Sequence, residues 1–299
     1  MKITITGASG LIGRRLLKNL SAAGHAIHVL SRHAGTNLPA GVKLSQWDPL
    51  KGLPAEESLR DAAAVIHLAG EPVAQRWTAD ARQRIRESRV ISTRHLVQAI
   101  DKLASRPEAL ICASAIGYYG SRGDETLNES SAPGGGYLAE VCQAWEQEAQ
   151  AAEALGVRVV RVRIGLVLDS RGGALQRMLP PFRVGVGGKL GNGKQWMSWI
   201  HLEDLAALFQ FVLDRPVRGA LNGVAPYPLV NADFTGELGQ ALHRPAIFPV
   251  PAFALRTLFG EMSEILLASQ RVTPAAAEEA GFRFRFPQLG PALRDLLRK

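Results

Sequence analysis

The sequence predicts an α/β fold: a doubly wound parallel sheet with helices on both faces, followed by a small C-terminal α+β portion. Three observations carry this expectation. The chain opens as strand, glycine turn, helix, strand. Strand-like apolar runs then keep alternating with helix-periodic stretches as far as residue 162, the pattern of a parallel sheet with crossover helices. Beyond about residue 165 the texture changes to glycine- and proline-rich sequence with weaker periodicity.

Taken in order, residues 2–6 alternate with β-branched side chains, as a strand does. Leu11, Ile12, Leu16, Leu17 and Leu20 recur at helical spacing, and Gly24 ends that helix. Strands are expected at 26–30, 63–68, 109–113 and 157–162, with helices at 81–104 and 137–155 between them. The segment 185–193 reads as a glycine-rich loop, either a mobile lid or a static connection. Helices are expected at 203–213, 252–268, 274–280 and 290–298, and the alternating Phe282-Arg283-Phe284-Arg285-Phe286 reads as a strand. The expected division is a large unit over 1–240 and a small one over 241–299 that closes on it.

Composition excludes several classes. The 299 residues are 46% hydrophobic and 21% charged, ordinary for a globular chain and wrong for a disordered or collagen-like one. No apolar run approaches the roughly 18 residues of a membrane-spanning helix, and no secretory signal is expected at the start. Two cysteines, Cys112 and Cys142, make neither a disulfide framework nor a metal cluster, so a reducing cytoplasm is the expected compartment and no metal is expected. The net charge of +8 is scattered, without a basic block or basic–aromatic alternation, which argues against nucleic acid. A small anionic ligand needs only a few of these cations.

The turn Gly7-Ala8-Ser9-Gly10-Leu11-Ile12-Gly13 lies between the first strand and the first helix. There, glycines permit close backbone approach and a helix N-terminus offers N–H groups to a pyrophosphate. A dinucleotide site is therefore expected on Gly7, Ser9, Gly10, Leu11, Ile12 and Gly13. The second strand ends in Ser31-Arg32-His33 with no acid. A carboxylate there would select NAD(H), whereas Arg32 can pair with a 2′-phosphate, so NADP(H) is the expected cofactor.

With His67-Leu68-Ala69-Gly70 after the next predicted strand, the chain resembles the short-chain dehydrogenase/reductase superfamily, in its extended or atypical branch. More narrowly it resembles the NAD-dependent epimerase/dehydratase-like group that includes the YfcH-type proteins. The motifs are Gly70-Glu71-Pro72, Arg76-Trp77, Ser88-Arg89-Val90 with Thr93, and Ser114-Ala115-Ile116-Gly117-Tyr118-Tyr119-Gly120. They continue with Leu138-Ala139-Glu140-Val141-Cys142 before Trp145-Glu146, Pro181-Phe182-Arg183, and Gln195-Trp196-Met197-Ser198-Trp199-Ile200-His201 with Asp204. Phe259-Gly260-Glu261-Met262 and Phe286-Pro287 resemble the group's small C-terminal domain, so the likeness runs almost the whole length. It implies a Rossmann domain, with Leu68, Ala69, Gly70 and Arg89 along the cofactor.

The superfamily's tyrosine and lysine stand four residues apart on one helix, where the lysine eases proton release from the phenol. Tyr137 matches the tyrosine, but Val141 occupies the lysine position, and burial beside an apolar neighbour would push the phenol pKa up. Ser114 falls near the superfamily serine, with Ala115 as the alternative equivalent, and His201 is the candidate for a substitute proton donor. Against that, His201 could simply order its loop while Asp204 caps a helix.

Glu71, Arg76, Trp77, Arg163, Gln195 and Trp199 are the candidate substrate residues, a mixture suited to an anionic, planar or sugar-like molecule. The alternative for the tryptophans is core or lid packing. The expected function is an NADP(H)-dependent oxidoreductase or epimerase-like enzyme on an unknown small molecule. The competing reading is a non-catalytic NADP(H)-binding regulator, linked to cell division by the label that some of the resembling group carries. The oligomeric state is open, with a homodimer as the candidate.

Overall fold

The computed structural model describes residues 1–33 and 38–298. Its centre is a seven-stranded parallel sheet. The strands are β1 (Lys2–Thr6), β2 (Ala26–Ser31), β3 (Lys43–Gln46), β4 (Ala64–His67), β5 (Ala109–Ala115), β7 (Arg158–Ile164) and β11 (Gly219–Gly223), while β6 (Thr126–Leu127) lies outside this sheet. The spatial order is β11-β7-β5-β4-β1-β2-β3. Chain direction across the sheet reverses between β1 and β4, and open α/β sheets bind ligands at such a point, beyond the carboxyl ends of the strands.

Alternation along the strands sorts the core into two layers. Ile3, Ile5, Ile66, Ile111 and Val160 face α1 (Leu11–Ala22) and α6 (Leu202–Asp214). Val65, Leu110, Cys112 and Val159 face α3 (Ala79–Asp101) and α4 (Tyr137–Gln150); the short α2 (Glu56–Leu59) adds Leu59 to this layer. Helix α1 buries Gly13, Leu16, Leu17 and Leu20 on one stripe, and α3 starts where the Thr78 side chain accepts the Ala81 N–H.

A third core gathers much of the later chain, while Ala277 and Phe282 return to the first layer. It packs β8 (Leu166–Asp169), α5 (Gly173–Arg183), β10 (Trp199–His201), α7 (Asn231–Leu242) and α11 (Leu289–Leu297) around Trp199, Phe234 and Phe286. Two small antiparallel or parallel pairs complete the region: β9 (Trp196–Met197) with β12 (Leu229–Val230), and β13 (Arg271–Val272) with β6. Helices α8 (Ala252–Phe259), α9 (Ser263–Leu267) and α10 (Ala275–Glu279) lie along the C-terminal segment.

Several expectations are corrected. The helix expected at 137–155 is α-helical to Gln150 and tightens to 3-10 geometry over Ala151–Leu155, ending at the left-handed Gly156. The single helix expected over 252–268 is α8 and α9 with a 3-10 turn between them. Residues 282–286 form no strand. Phe282 and Phe286 are buried with Arg283 and Arg285 exposed, as alternation implies. Yet the N–H groups of Arg285 and Phe286 are accepted by the Asp204 carboxylate, at 2.9 and 2.8 Å, in place of a neighbouring strand. The glycine-rich loop is strapped down: Gly191 donates to the Val250 carbonyl at 2.8 Å, and Val250 donates to the Lys189 carbonyl at 2.9 Å.

Candidate active site

The three glycines of the first turn do different work. Gly7 has φ +72°, and a Cβ there would lie 2.7 Å from the Leu68 carbonyl carbon; its glycine is required by the close approach of β4's end. A Cβ on Gly13 would meet the Gly7 oxygen at 2.2 Å, so helix α1 could not sit against the loop with any larger residue. Gly10 is the outward one, exposed, with only the Gly7 oxygen within reach of a Cβ. No side chain caps α1 and its first turn holds no acid, which leaves the helix N-terminus suited to an anion. Ser9 is exposed beside Gly10, and Leu11 and Ile12 are half-buried.

The opposite wall is the end of β4, locked by a residue the sequence reading passed over. Thr6 Oγ1 accepts the N–H groups of Leu68 and Ala69, each at 3.1 Å. Its hydroxyl proton therefore goes to His67 Nδ1, 2.7 Å away. That leaves the proton of the neutral ring on Nε2, facing Ser92 Oγ at 3.3 Å, while Ser92 in turn donates to the Ser88 carbonyl. Complete burial pushes the His67 pKa down to about 4, so the ring is neutral. The only signal in the sequence was a histidine closing an otherwise apolar strand.

Arg89 lies under the next turn. A Cβ on Gly70 would meet its guanidinium at 3.2 Å. Arg89 donates to the Glu71 and Ile85 carbonyls, each at 3.0 Å, and covers the Trp145 ring at 5.3 Å. Burial pushes its pKa down from the usual arginine range. On the other side of β1, Ser31 is half-buried at the end of β2 and Arg32 is exposed, its carbonyl accepting from Gln46.

Tyr137 begins α4. Its ring meets Trp77 edge-on at 5.2 Å, and its hydroxyl donates to the Arg82 carbonyl. Burial raises the phenol pKa. Val141, one turn on, is buried.

Ser114, Tyr137 and His201 are not brought together. Ser114 donates to Glu146 at 2.7 Å, and Glu146 stands nine residues beyond Tyr137, about 13 Å along the helix axis. His201 caps α6, accepting the Glu203 N–H on Nδ1 at 3.0 Å. Its ring stacks on Phe286 at 4.1 Å, and Nε2 lies 3.4 Å from Asp295 of α11. Desolvation lowers its pKa. The expected proton donor is thus a structural joint between α6 and the C-terminal segment.

The expected substrate residues also divide. Glu71, Arg76 and Trp77 share the segment beside Tyr137, with Arg76 exposed and Trp77 Nε1 bonded to the Val73 carbonyl. Arg163 is instead paired with Glu146, a partner the sequence reading missed. Gln195 is buried, donating to the carbonyls of Leu190 and Leu266. Trp199 is fully buried in the third core, its Nε1 on the Tyr227 carbonyl. Those two side chains hold loops and fill the core, so they are withdrawn from the substrate set.

Among the described residues, no group of three or more His, Cys, Asp or Glu side chains could hold a metal ion, and no helix is long and apolar enough to cross a membrane.

Comparison with known proteins agrees with this architecture. An epimerase family protein SDR39U1 homolog, chloroplastic, from Arabidopsis thaliana is 41% identical over 99% of this chain and 87% of its own length. Epimerase family protein YfhF of Bacillus subtilis is 36% identical, over 99% and 98%. Among solved structures, human epimerase family protein SDR39U1 (isoform 2) with NADPH superposes with a TM-score of 0.89 at 33% identity, covering 99% of both chains. Residues 250–296 match a domain of unknown function, DUF1731. Residues 3–225 match the NAD dependent epimerase/dehydratase family, and with the parallel sheet, the glycine turn at its switch point and these relatives, the chain belongs to that family.

Proposed function

We propose that this chain is an NADP(H)-dependent oxidoreductase or epimerase-like enzyme acting on a small molecule. The observation that carries the reading is the whole-length likeness to the human protein solved with NADPH. The residues present fit the cofactor. The uncapped N-terminus of α1, with Ser9 and Gly10 exposed, would take the pyrophosphate. Arg32, exposed where an NAD-selective acid would stand, would take the 2′-phosphate. Leu68, Ala69 and Gly70 would lie along the dinucleotide, backed by Arg89.

When bound, NADP(H) supplies or accepts hydride at C4 of its nicotinamide. Tyr137 would present its hydroxyl proton to a substrate oxygen, with Trp77, Glu71 and Arg76 on the substrate side. Two buried free thiols suit a cytoplasmic protein, and the motifs at 70–77 and 114–120 suit the YfcH type within the family. A second reading, a non-catalytic NADP(H)-binding regulator, is favoured by one observation: Val141 is buried where the lysine would stand.

The test is incubation with NADPH deuterated at C4 and a metabolite extract, followed by mass spectrometry, with Arg32→Ala as control. Deuterium in a metabolite, lost in the control, is the expected result. Tight NADPH binding with no label, and no exchange of label on recovered cofactor, overturns net hydride transfer to a metabolite; formation of an epimer in the extract then separates an epimerase that returns its hydride internally from the regulator.

A further inference from the structure

With Val141 buried in the lysine's place, positive charge acting on the Tyr137 phenol has to come from another element. It comes from α3. The Arg82 guanidinium carbon lies 4.5 Å from the centroid of the Tyr137 ring, and the Arg82 carbonyl accepts the phenol O–H. Arg86 and Arg89 follow at helical spacing on the same side, and all three oppose the effect of burial on the phenol. Arg89 is committed to the Glu71 and Ile85 carbonyls, and Arg86 is exposed. Only Arg82 covers the ring.

The apolar neighbours of Tyr137 are Trp77 and Val73, which precede α3, Leu138 on its own helix and Met262 of the C-terminal segment; among the described residues, the charges that act on the phenol are the three arginines of α3. That segment's carboxylate, Glu261, reaches Arg82 at 2.9 Å. Both members of this ion pair are partly exposed, so water moderates its strength.

Building on the enzymatic reading above, we propose that Arg82 is the positioning residue for Tyr137 in place of the superfamily's lysine. Its guanidinium holds the ring from α3 and favours proton release from Oη, and Glu261 sets how much of that charge the phenol feels. The proton now rests on Oη, donated to the Arg82 carbonyl. Rotation about the Cζ–Oη bond redirects it to a substrate oxygen and leaves the guanidinium where it is.

The experiment is a pH titration by 19F NMR of the full chain labelled with 3-fluorotyrosine, whose substituent brings phenol ionisation into an accessible range. There are four tyrosines, and Tyr137→Phe identifies the signal. Arg82→Met should raise the Tyr137 midpoint by about one pH unit, the lower end expected for losing a charge within ~4–6 Å. Arg82→Lys should restore most of the difference, and Glu261→Gln should lower the midpoint below that of the parent protein. An unchanged midpoint in Arg82→Met overturns the proposal, as does Arg82→Lys behaving like Arg82→Met, which would make the effect steric. An unchanged midpoint in Glu261→Gln overturns the role of Glu261. The titration uses neither substrate nor cofactor, so a chain that fails to transfer deuterium yet shows these shifts loses the oxidoreductase reading and not the assignment of Arg82.

Discussion

Glu146 and Arg163 face each other through two parallel hydrogen bonds, at 2.8 and 2.9 Å, with each side chain only 4% exposed. The pair sits where α4 crosses β7, and its remaining valences are filled. Ser114 donates to the Glu146 carboxylate, and Arg163 donates to the Tyr119 hydroxyl at 2.9 Å while lying 3.5 Å over the Tyr118 ring. The carboxylate holds the Arg163 guanidinium more firmly protonated than usual. A substrate role for Arg163 would require breaking this arrangement.

Removing one partner should therefore be expensive. Glu146→Ala leaves a buried guanidinium uncompensated and should cost about 3–5 kcal/mol of stability. The double change Glu146→Leu with Arg163→Met should recover much of that loss. Urea denaturation checks both; a Glu146→Ala variant within about 1 kcal/mol of the parent would mean the pair holds nothing.

Val141→Lys should not raise activity. Val141 is 1% exposed, and an ammonium placed there carries a desolvation penalty of several kcal/mol. A lower thermal midpoint with no gain in turnover is expected. A large gain in carbonyl reduction would show instead that the absent lysine is the site's sole defect.

Arg32→Ala should separate the two nicotinamide cofactors. Loss of a charge-assisted contact is worth about 1.5–3 kcal/mol. NADPH binding should weaken by roughly ten- to a hundredfold, with NADH little changed. Isothermal titration with each cofactor reads the outcome, and equal losses would falsify the 2′-phosphate assignment.

His67 should make the fold acid-sensitive. Its folded pKa is depressed to about 4 from 6.5. Between those values the unfolded chain binds the extra proton, so stability rises with pH. The contribution present above pH 6.5 amounts to about 3 kcal/mol and disappears as pH falls toward 4. Urea midpoints at pH 7 and 4.5 should diverge less in His67→Gln than in the parent; identical divergence removes His67 from the acid transition.

The glycine turn and the parallel sheet around it were legible because their features are local. Gly7, Gly10 and Gly13 punctuate a strand and a helix adjacent in sequence, and the missing acid at Arg32 closes the next strand. The substrate half depends on pairings between distant segments. Arg163 looks like a free cation until Glu146 is placed against it, and the Phe282–Phe286 alternation looks like a strand until Asp204 supplies its hydrogen-bond acceptors. Trp199 and His201 lie in a motif whose neighbours, Tyr227 and Phe286, belong to other elements. Lys43–Gln46 escaped notice as a strand because it is short and half-exposed at the sheet edge.

The pairing of β6 with β13 also orders events during synthesis. Gln270, just before β13, donates to the carbonyl of Ile116, 154 positions earlier, and β13 supplies β6 with its neighbour. The seven strands of the sheet all lie at or before Gly223, so its hydrogen-bonded ladder can assemble while the remainder is still on the ribosome, and Ala277 and Phe282 complete one face of its core afterwards. The loop after β5 has to wait, since contacts of such long separation close late. A growing chain would thus be able to hold its cofactor before it has a finished pocket beside it.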